Sequence, residues 1–142
     1  IASVKYGNGS GKIGVYYNYC AASAGTYCYS NGTSYGTSTG DATADVCPAG
    51  WRMPTGGSTG EYQALYTAYS SNATDFRNAL STPLSGNFRN GSAGNQGSVG
   101  YFWSSTRRSD YYMYILSVAS SYVFPQNYGS RIIGYSVRCL LR

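Results

Sequence analysis

The sequence contains no histidine and very few acidic residues. Its five carboxylates are Asp41, Asp45, Glu61, Asp75 and Asp110. Histidine is the commonest general base at neutral pH and the commonest metal ligand, so acid–base and metal chemistry have few groups to use. No apolar run approaches the ~20 residues that a membrane-spanning helix needs. We therefore expect no catalysis, no metal site, no cofactor and no transmembrane helix in this chain.

Large aliphatic side chains are also scarce. Leu, Ile, Val and Phe together make up 22 of the 142 residues, a fraction low enough to suggest disorder. Disordered chains, however, are rich in charge and poor in aromatic residues, whereas this chain is 11% charged and 16% aromatic, with 17 tyrosines. A chain of this length folds as one domain. We expect a single domain, residues 1–142, whose core is built partly from Tyr and Trp.

The net charge of +5 is spread along the chain. Only Arg107 and Arg108 are adjacent, and a nucleic-acid site normally shows a clustered basic patch. The charge therefore indicates solubility, and no nucleic-acid partner is expected.

The four cysteines, Cys20, Cys28, Cys47 and Cys139, include no C-x-x-C pair. Without histidine, a zinc site would need all four thiolates, at spacings that fit no known zinc motif. Two disulfides, and hence an extracellular or cell-surface location, are the favoured interpretation, with four free thiols as the alternative. Of the three possible pairings we favour Cys20–Cys28, which closes a short loop, and Cys47–Cys139, which ties the middle of the chain to its last strand. A loop as long as the second stabilises by ~4–5 kcal/mol in the chain-entropy model.

No signal peptide is visible at Ile1, so we expect an export signal or a membrane anchor, if either exists, to precede this sequence. An upstream anchor is the only expected connection to a membrane.

The first part of the domain, 1–46, reads as an N-terminal strand with loops. Apolar residues at period two predict a half-buried strand over Gly11–Tyr19, and the small polar residues of Asn31–Asp45 predict a loop. In the second part, 47–100, two prolines and a glycine exclude a long helix at Cys47–Thr55. We expect Trp51 and Met53 to enter the core from a short extended segment.

Two helices are predicted next. Ser58 and Glu61 have capping-box spacing, and a stripe of apolar residues on one helical face follows them, which indicates core packing: Tyr62, Leu65, Tyr66 and Tyr69. A second helix is expected over Thr74–Leu80, with Phe76 and Leu80 facing inward. The remainder of this part, 85–100, is expected to be a loop, and 101–142 to form short strands and turns.

Alternation along 114–119 suggests a surface with an unusual composition. Tyr114, Leu116 and Val118 would lie on one face of a strand, and Ile115, Ser117 and Ala119 on the other. The first set suits a core. We interpret the second set as an outward face, together with Tyr122 and Phe124 on either side of Val123. Tyr, Ser, Asn and Gly with occasional Arg are the residues of antibody paratopes, and exposed apolar residues in a group mark interaction surfaces.

Two segments in this region, YFWSST at 101–106 and GYSVRC at 134–139, resemble the variable proteins of diversity-generating retroelements. The segment CPAGWRMPT at 47–55 is similar to the opening of the Fibrobacter major paralogous domain. The resemblance covers about residues 14–142. It implies an α+β, C-type-lectin-like fold of the kind seen in formylglycine-generating enzymes, with two short helices around a small twisted antiparallel sheet. It also implies a ligand-binding face, within about 103–138, whose codons are rewritten by adenine-directed copying.

The positions we expect to vary and to bind ligand are Arg107, Arg108, Asp110, Tyr111, Tyr112, Ile115, Ser117, Ala119, Tyr122, Phe124, Asn127, Tyr128, Gly129, Ser130, Ile132 and Ile133. In this family the template is rich in AAY codons, and randomising their adenines cannot produce Lys, Gln, Glu, Met or Trp. None of the expected positions carries such a residue. Met113 and Gln126 do, and were assigned to the framework, together with Trp103, Tyr114, Leu116, Val118, Val123 and Val137.

Three other functions were weighed. Formylglycine-generating enzymes use paired cysteines near the C-terminus, where this chain has only Cys139. Calcium-dependent lectins rely on carboxylates, of which this region has only Asp110. A glycan-binding, pilus or adhesion module without diversification stays open as the alternative. The favoured prediction is a surface-displayed protein that binds a macromolecular ligand, more specifically a protein, on another cell or phage. The expected anchors of this contact are Tyr111, Tyr112, Tyr122, Phe124 and Tyr128.

Overall fold

The computed structural model describes residues 2–5, 13–28 and 40–142. The regular elements in this part of the chain are β1 (Ala2–Lys5), β2 (Ile13–Tyr16), α1 (Tyr19–Ala22), β3 (Trp51–Arg52), α2 (Glu61–Ala68), α3 (Ala73–Leu80), β4 (Asn87–Arg89), β5 (Ser92–Gly94), β6 (Val99–Arg107), β7 (Tyr112–Ala119), β8 (Val123–Ser130) and β9 (Leu140–Leu141). The helices are short and the strands form small antiparallel sheets, so the predicted α+β class is confirmed.

The largest sheet carries most of the C-terminal part. Strands β6, β7 and β8 pair in that order, with β7 in the middle, while β1–β2, β3–β9 and β4–β5 form two-stranded sheets. Isolated bridges join Tyr17 to Tyr135 and Phe102 to Ser136. The segment around Tyr135 therefore links the N-terminal strand β2 and its continuation to the three-stranded sheet.

The N-terminal strand is shorter than predicted. Strand β2 ends at Tyr16, and Gly11 and Lys12 of the predicted strand lie outside the described residues. It ends there because Asn18 caps helix α1, with its Oδ1 accepting a hydrogen bond from the amide of Ala21 at 2.9 Å. Of the loop predicted over Asn31–Asp45, residues 31–39 also lie outside the described part, and the rest is irregular apart from a bridge at Asp41.

Both expected disulfides are present. Cys20 is bonded to Cys28, eight residues away, and Cys47 to Cys139, 92 residues away. The alternative of four free thiols is therefore wrong. Because disulfides persist in oxidising compartments, the two bonds indicate a secreted or surface protein.

The segment after Cys47 is extended, as predicted, but only part of it enters the core. Met53 is 1% exposed, whereas Trp51 is 42% exposed, so the prediction for Trp51 is wrong. Trp51 pairs with Leu141 across β3 and β9, and this two-stranded sheet leaves both side chains on the surface.

Helix α2 starts two residues later than its predicted cap implies. Ser58 does not cap it; the N-cap is Gly60, without a side-chain bond, and the amide of Glu61 donates to Oγ1 of Thr55 at 2.9 Å. Glu61 in turn accepts the Thr55 amide at 2.9 Å, so this loop residue takes the part expected of Ser58. The apolar stripe packs as predicted: Tyr62 is buried, with Leu65, Tyr66 and Tyr69 partly buried around it.

Helix α3 covers the predicted segment, capped by the side chain of Asn72, and Phe76 is buried. Leu80 is partly buried against the same cluster. The prediction of a loop over 85–100 is wrong, because β4 and β5 form a hairpin there. Asn90 and Gly91 at its tip have φ of 51° and 80°, a conformation that Asn and Gly adopt most readily, which allows so tight a turn.

Two groups of buried side chains lie on opposite faces of the three-stranded sheet. One face packs against helices α2 and α3; its members are Tyr62, Phe76, Phe102, Leu116, Val118 and Val123. The other face packs against the N-terminal region; its members are Tyr19, Ala22, Met53, Trp103, Met113, Ile115 and Tyr135. Tyrosine and tryptophan supply three of the seven members of the second group, as the composition predicts, but only Tyr62 among the six of the first.

Candidate ligand-binding surface

Strand β7 is covered on both faces, which overturns part of the predicted outward surface. Ile115, Ser117 and Ala119 are 1%, 1% and 5% exposed. Their alternation with Leu116 and Val118 is real, but it separates two halves of the core instead of core from solvent. The second face is buried because Trp103, Tyr19 and Tyr135 pack on it, and Ser117 is satisfied by a hydrogen bond from Nδ2 of Asn127 at 2.8 Å.

Two further predicted binding residues are also buried. Arg107 is 2% exposed, with its guanidinium 4.7 Å from the centre of the Tyr27 ring. Gly129 faces the ring of Tyr135, and a Cβ added at Gly129 would overlap that ring. Neither position can contact a ligand in this fold, so both assignments are wrong.

The exposed members of the predicted set concentrate where β7 begins and β8 ends. Tyr111, Tyr112 and Tyr128 are 62%, 42% and 46% exposed. The rings of Tyr112 and Tyr128 meet edge to face, with their centres 5.3 Å apart. The guanidinium of Arg108 lies 3.9 Å from the centre of the Tyr128 ring. We call Arg108, Tyr111, Tyr112 and Tyr128 the tyrosine–arginine patch.

The backbone beneath this patch is held by a regular hydrogen-bond pattern. The amides of Arg108 and Ser109 donate to the carbonyl of Tyr112 at 3.0 and 2.9 Å, and the amide of Arg131 donates to the carbonyl of Tyr111 at 3.1 Å. The guanidinium of Arg131, which is buried, lies 5.3 Å from the centre of the Tyr111 ring. The patch therefore stands on fixed backbone, and its rings can be changed without removing these bonds.

A second aromatic pair, the half-buried Tyr122 and the exposed Phe124, lies at the start of β8. The rings of Tyr122 and Phe124 stack with their centres 4.7 Å apart, and Phe124 is 54% exposed. A groove of about 440 Å³ runs beside them towards the turn between α2 and α3, where Tyr66 and Asn72 line it. Ile132, 76% exposed, lies in another groove beside Phe88 and Arg89. The remaining predicted positions are half-buried: Asp110, Asn127, Ser130 and Ile133.

The residues assigned to the framework differ in burial. Met113, Trp103, Leu116, Val118 and Val123 are buried. Tyr114 and Val137 are half-buried. Gln126, in contrast, is exposed, and its Nε2 donates to Oε1 of Gln63 on α2 at 2.7 Å.

The exposure of Gln126 was missed because its residue type excluded it from the variable set. The signal that would have found it is the alternation of Phe124, Gln126 and Tyr128, which all face solvent on the edge strand β8, with the buried Pro125 between them. The sequence analysis also did not find the exposed pair of Trp51 and Leu141, because these two strand partners are far apart in sequence.

Two acidic side chains, Asp45 and Glu61, support the backbone around β3 and the start of α2. Asp45 accepts the amides of Cys47 and Met53 at 2.9 and 3.0 Å. Two hydrogen bonds from Arg52, each 2.5 Å, hold the pKa of Glu61 at about 2, below its usual value of 4.5. Burial raises the pKa of Tyr135 to about 12. Within residues 2–5, 13–28 and 40–142, no three Cys, Asp or Glu side chains come together as metal ligands would.

Comparison of the chain with protein-family models, with curated proteins and with solved structures finds no match. None of the described helices is long and apolar enough to span a membrane.

Proposed function

We propose that this chain is a non-catalytic binding domain with a C-type-lectin-like fold, displayed outside the cytoplasm, that holds a protein ligand through the tyrosine–arginine patch. The observation that carries the proposal is the exposure of three tyrosines at one end of the three-stranded sheet, on a backbone that does not depend on them. Tyrosine offers a large amphipathic contact area at low entropic cost, and with arginine it dominates the energetics of protein interfaces.

The separation of scaffold from surface supports this function. The core beneath the patch is built from side chains on both faces of β7 and is tied by Cys47–Cys139. Substitution of exposed side chains away from such features usually changes stability by no more than ~0.5 kcal/mol. The patch can therefore be adapted to a ligand without loss of the fold.

We extend the proposal to retroelement diversification, restricted to the predicted positions that reach the surface. The support is the resemblance of 101–106 and 134–139 to the retroelement family. The buried positions are withdrawn, as are Asn127 and Ile133, which contact the core. The restricted set is Arg108, Asp110, Tyr111, Tyr112, Tyr122, Phe124, Tyr128, Ser130 and Ile132.

Sequencing the DNA that flanks the gene tests the diversification. The expected result is a near-copy of the codons for 103–138, beside a reverse transcriptase, that differs at adenines in codons of the restricted set. Absence of the copy, or differences concentrated at Ile115, Ser117 and Ala119, would reduce the function to a binding or adhesion module without diversification.

Ligand binding is tested by selection of phage-displayed random peptides on the immobilised domain. Selected peptides should bind the wild type and lose binding to the triple variant Tyr111→Ala, Tyr112→Ala, Tyr128→Ala. Trp51→Ala is the matched control, because Trp51 is an equally exposed aromatic residue on a different sheet. Peptides that bind both variants equally, or a triple variant that fails to fold, would contradict the assignment.

A glycan-binding function is the second candidate, and the groove beside Tyr122 and Phe124 favours it. Sugars bind with their C–H faces on exposed aromatic rings and their hydroxyls on polar groups, and Asn72 and Thr74 border this groove. On a glycan array, Phe124→Ala should then abolish retention while the triple tyrosine variant keeps it.

A further inference from the structure

The geometry of Arg108 points to the chemistry of the partner: we propose that the tyrosine–arginine patch recognises a protein segment in which a carboxylate lies next to an aromatic or aliphatic anchor. This inference rests on the proposed function and specifies its ligand. Arg108 would bind the carboxylate, and Tyr112 and Tyr128 would receive the anchor.

The first argument is the way in which Arg108 is held. Its guanidinium carbon lies over the Tyr128 ring, 3.9 Å from the ring centre, in a cation–π contact. A guanidinium carries its five N–H donors in one plane, as a fork that matches the two oxygens of a carboxylate. Among the described residues no carboxylate pairs with Arg108, and its side chain is exposed. A planar cation that is held by a ring and exposed to solvent is available to bind a carboxylate with two parallel hydrogen bonds.

The second argument is the charge of the surrounding chain. Residues 99–142 contain five arginines and one acidic side chain, Asp110, and Asp41 from the N-terminal part bonds Thr106, so cationic side chains remain in excess here. The other arginines next to the patch, Arg107 and Arg131, are buried and lie against tyrosine rings, which makes Arg108 the exposed cation of the patch. Such a region attracts negative groups and repels cationic ones.

The third argument is the apolar surface beside the cation. The edge-to-face rings of Tyr112 and Tyr128 form a rigid contact area next to the guanidinium. An inorganic anion would use the guanidinium alone, whereas a peptide with an adjacent side chain would use both. The patch therefore fits an acidic peptide segment better than a simple anion.

The test uses two bead-bound peptide pools of equal length. One pool is built from Asp, Glu, Tyr, Leu, Ser and Gly, and in the other Asn and Gln replace Asp and Glu. We expect the folded domain to be retained at least about tenfold better by the acidic pool at about 50 mM NaCl, and most of this advantage to vanish at about 500 mM, where charges are screened.

Matched variants separate the two proposals. Arg108→Gln should reduce acidic-pool retention to the neutral-pool level, and Arg108→Lys should restore only part of it, because lysine lacks the planar pair of donors. Arg89→Gln, which removes an exposed arginine on β4, should bind like the wild type. Melting curves of all variants establish that they are folded.

Each of the other outcomes contradicts a specific part of the two proposals. Equal retention by both pools that is lost in Tyr112→Ala and Tyr128→Ala overturns the acidic partner and leaves the proposed function standing. Retention that depends on neither tyrosine contradicts both proposals. Stronger, Arg108-dependent capture by heparin beads would assign the patch to an anionic polysaccharide and overturn the protein partner.

Discussion

Asn127 donates a hydrogen bond from Nδ2 to Oγ of Ser117 at 2.8 Å, across the irregular part of the β7–β8 pairing. Both residues were expected on a variable surface. In the fold, Ser117 is 1% exposed and Asn127 half-buried, so the pair is part of the scaffold. This bond shows why a polar, paratope-like composition does not by itself define a surface.

Removal of one partner of this bond should cost more than removal of both. Asn127→Ala leaves the Ser117 hydroxyl buried without its donor, and we expect a loss of ~1–3 kcal/mol in the free energy of unfolding. The double variant with Ser117→Ala should recover part of that loss. Urea denaturation of the two single variants and the double variant measures the coupling, and additive effects would show that the bond contributes nothing.

Truncation of Ile115 should lower the free energy of unfolding much more than truncation of Phe124. Ile115→Ala opens a cavity between Trp103 and Met113 and should cost ~2–5 kcal/mol. Phe124→Ala removes a side chain that is 54% exposed and should cost less than ~1 kcal/mol. Thermal unfolding of the two variants measures both losses. Similar small losses would mean that Ile115 lies on the surface, as the alternation first suggested.

Gly129 should not accept a side chain although it lies within the predicted variable region. Gly129→Ala would push against the Tyr135 ring, which is itself packed on Trp103 with their centres 4.6 Å apart. We expect a loss of ~1–3 kcal/mol from overpacking. Ser130→Ala, one residue along the strand, serves as the control and should be nearly neutral. Equal stability of the two variants would contradict the tight contact.

The two disulfides should differ in their contribution to stability. In the chain-entropy model the bond between Cys47 and Cys139 constrains a loop of 92 residues and stabilises by ~4–5 kcal/mol, whereas Cys20–Cys28 constrains eight and stabilises by ~2–3 kcal/mol. Paired Cys→Ser variants compared by urea denaturation test this order. The reverse order would show that the folded state, and not the loop entropy, determines their effects.

Acid should weaken the attachment of helix α2. The pKa of Glu61 is lower in the folded protein than its usual 4.5, so its contribution to stability is present above pH 4.5 and is lost as the pH falls towards about 2. Glu61→Gln should reduce stability at neutral pH and flatten its decline across this interval. Asp75→Asn, which changes an exposed carboxylate on α3, is the control and should keep the wild-type decline. An unchanged decline in Glu61→Gln would contradict the role of the Arg52 bond.

Several features could be predicted from sequence because they depend on nearby residues. The Asn72-capped helix α3 and the alternation along β7 are local patterns, and both are present. The favoured disulfide pairing, one of three possible pairings, is also present, although Cys47 and Cys139 lie 92 residues apart. The prediction that Ser58 caps helix α2 was wrong because the amide of Glu61 donates to Thr55, which lies outside the capping-box spacing.

The sequence by itself determined the α+β class, the reliance on tyrosine and tryptophan for the core, and the lack of acid–base groups. Only the tertiary structure decided whether a face of β7 reaches solvent, and over residues 115–119 neither face does. A strand's alternation separates its two faces but says nothing about what covers each one. The second face is covered by Tyr19 and Tyr135, which lie in other elements of the chain. Burial depends on such long-range packing. For this reason the exposed residues of the predicted binding surface are concentrated where β7 begins and β8 ends.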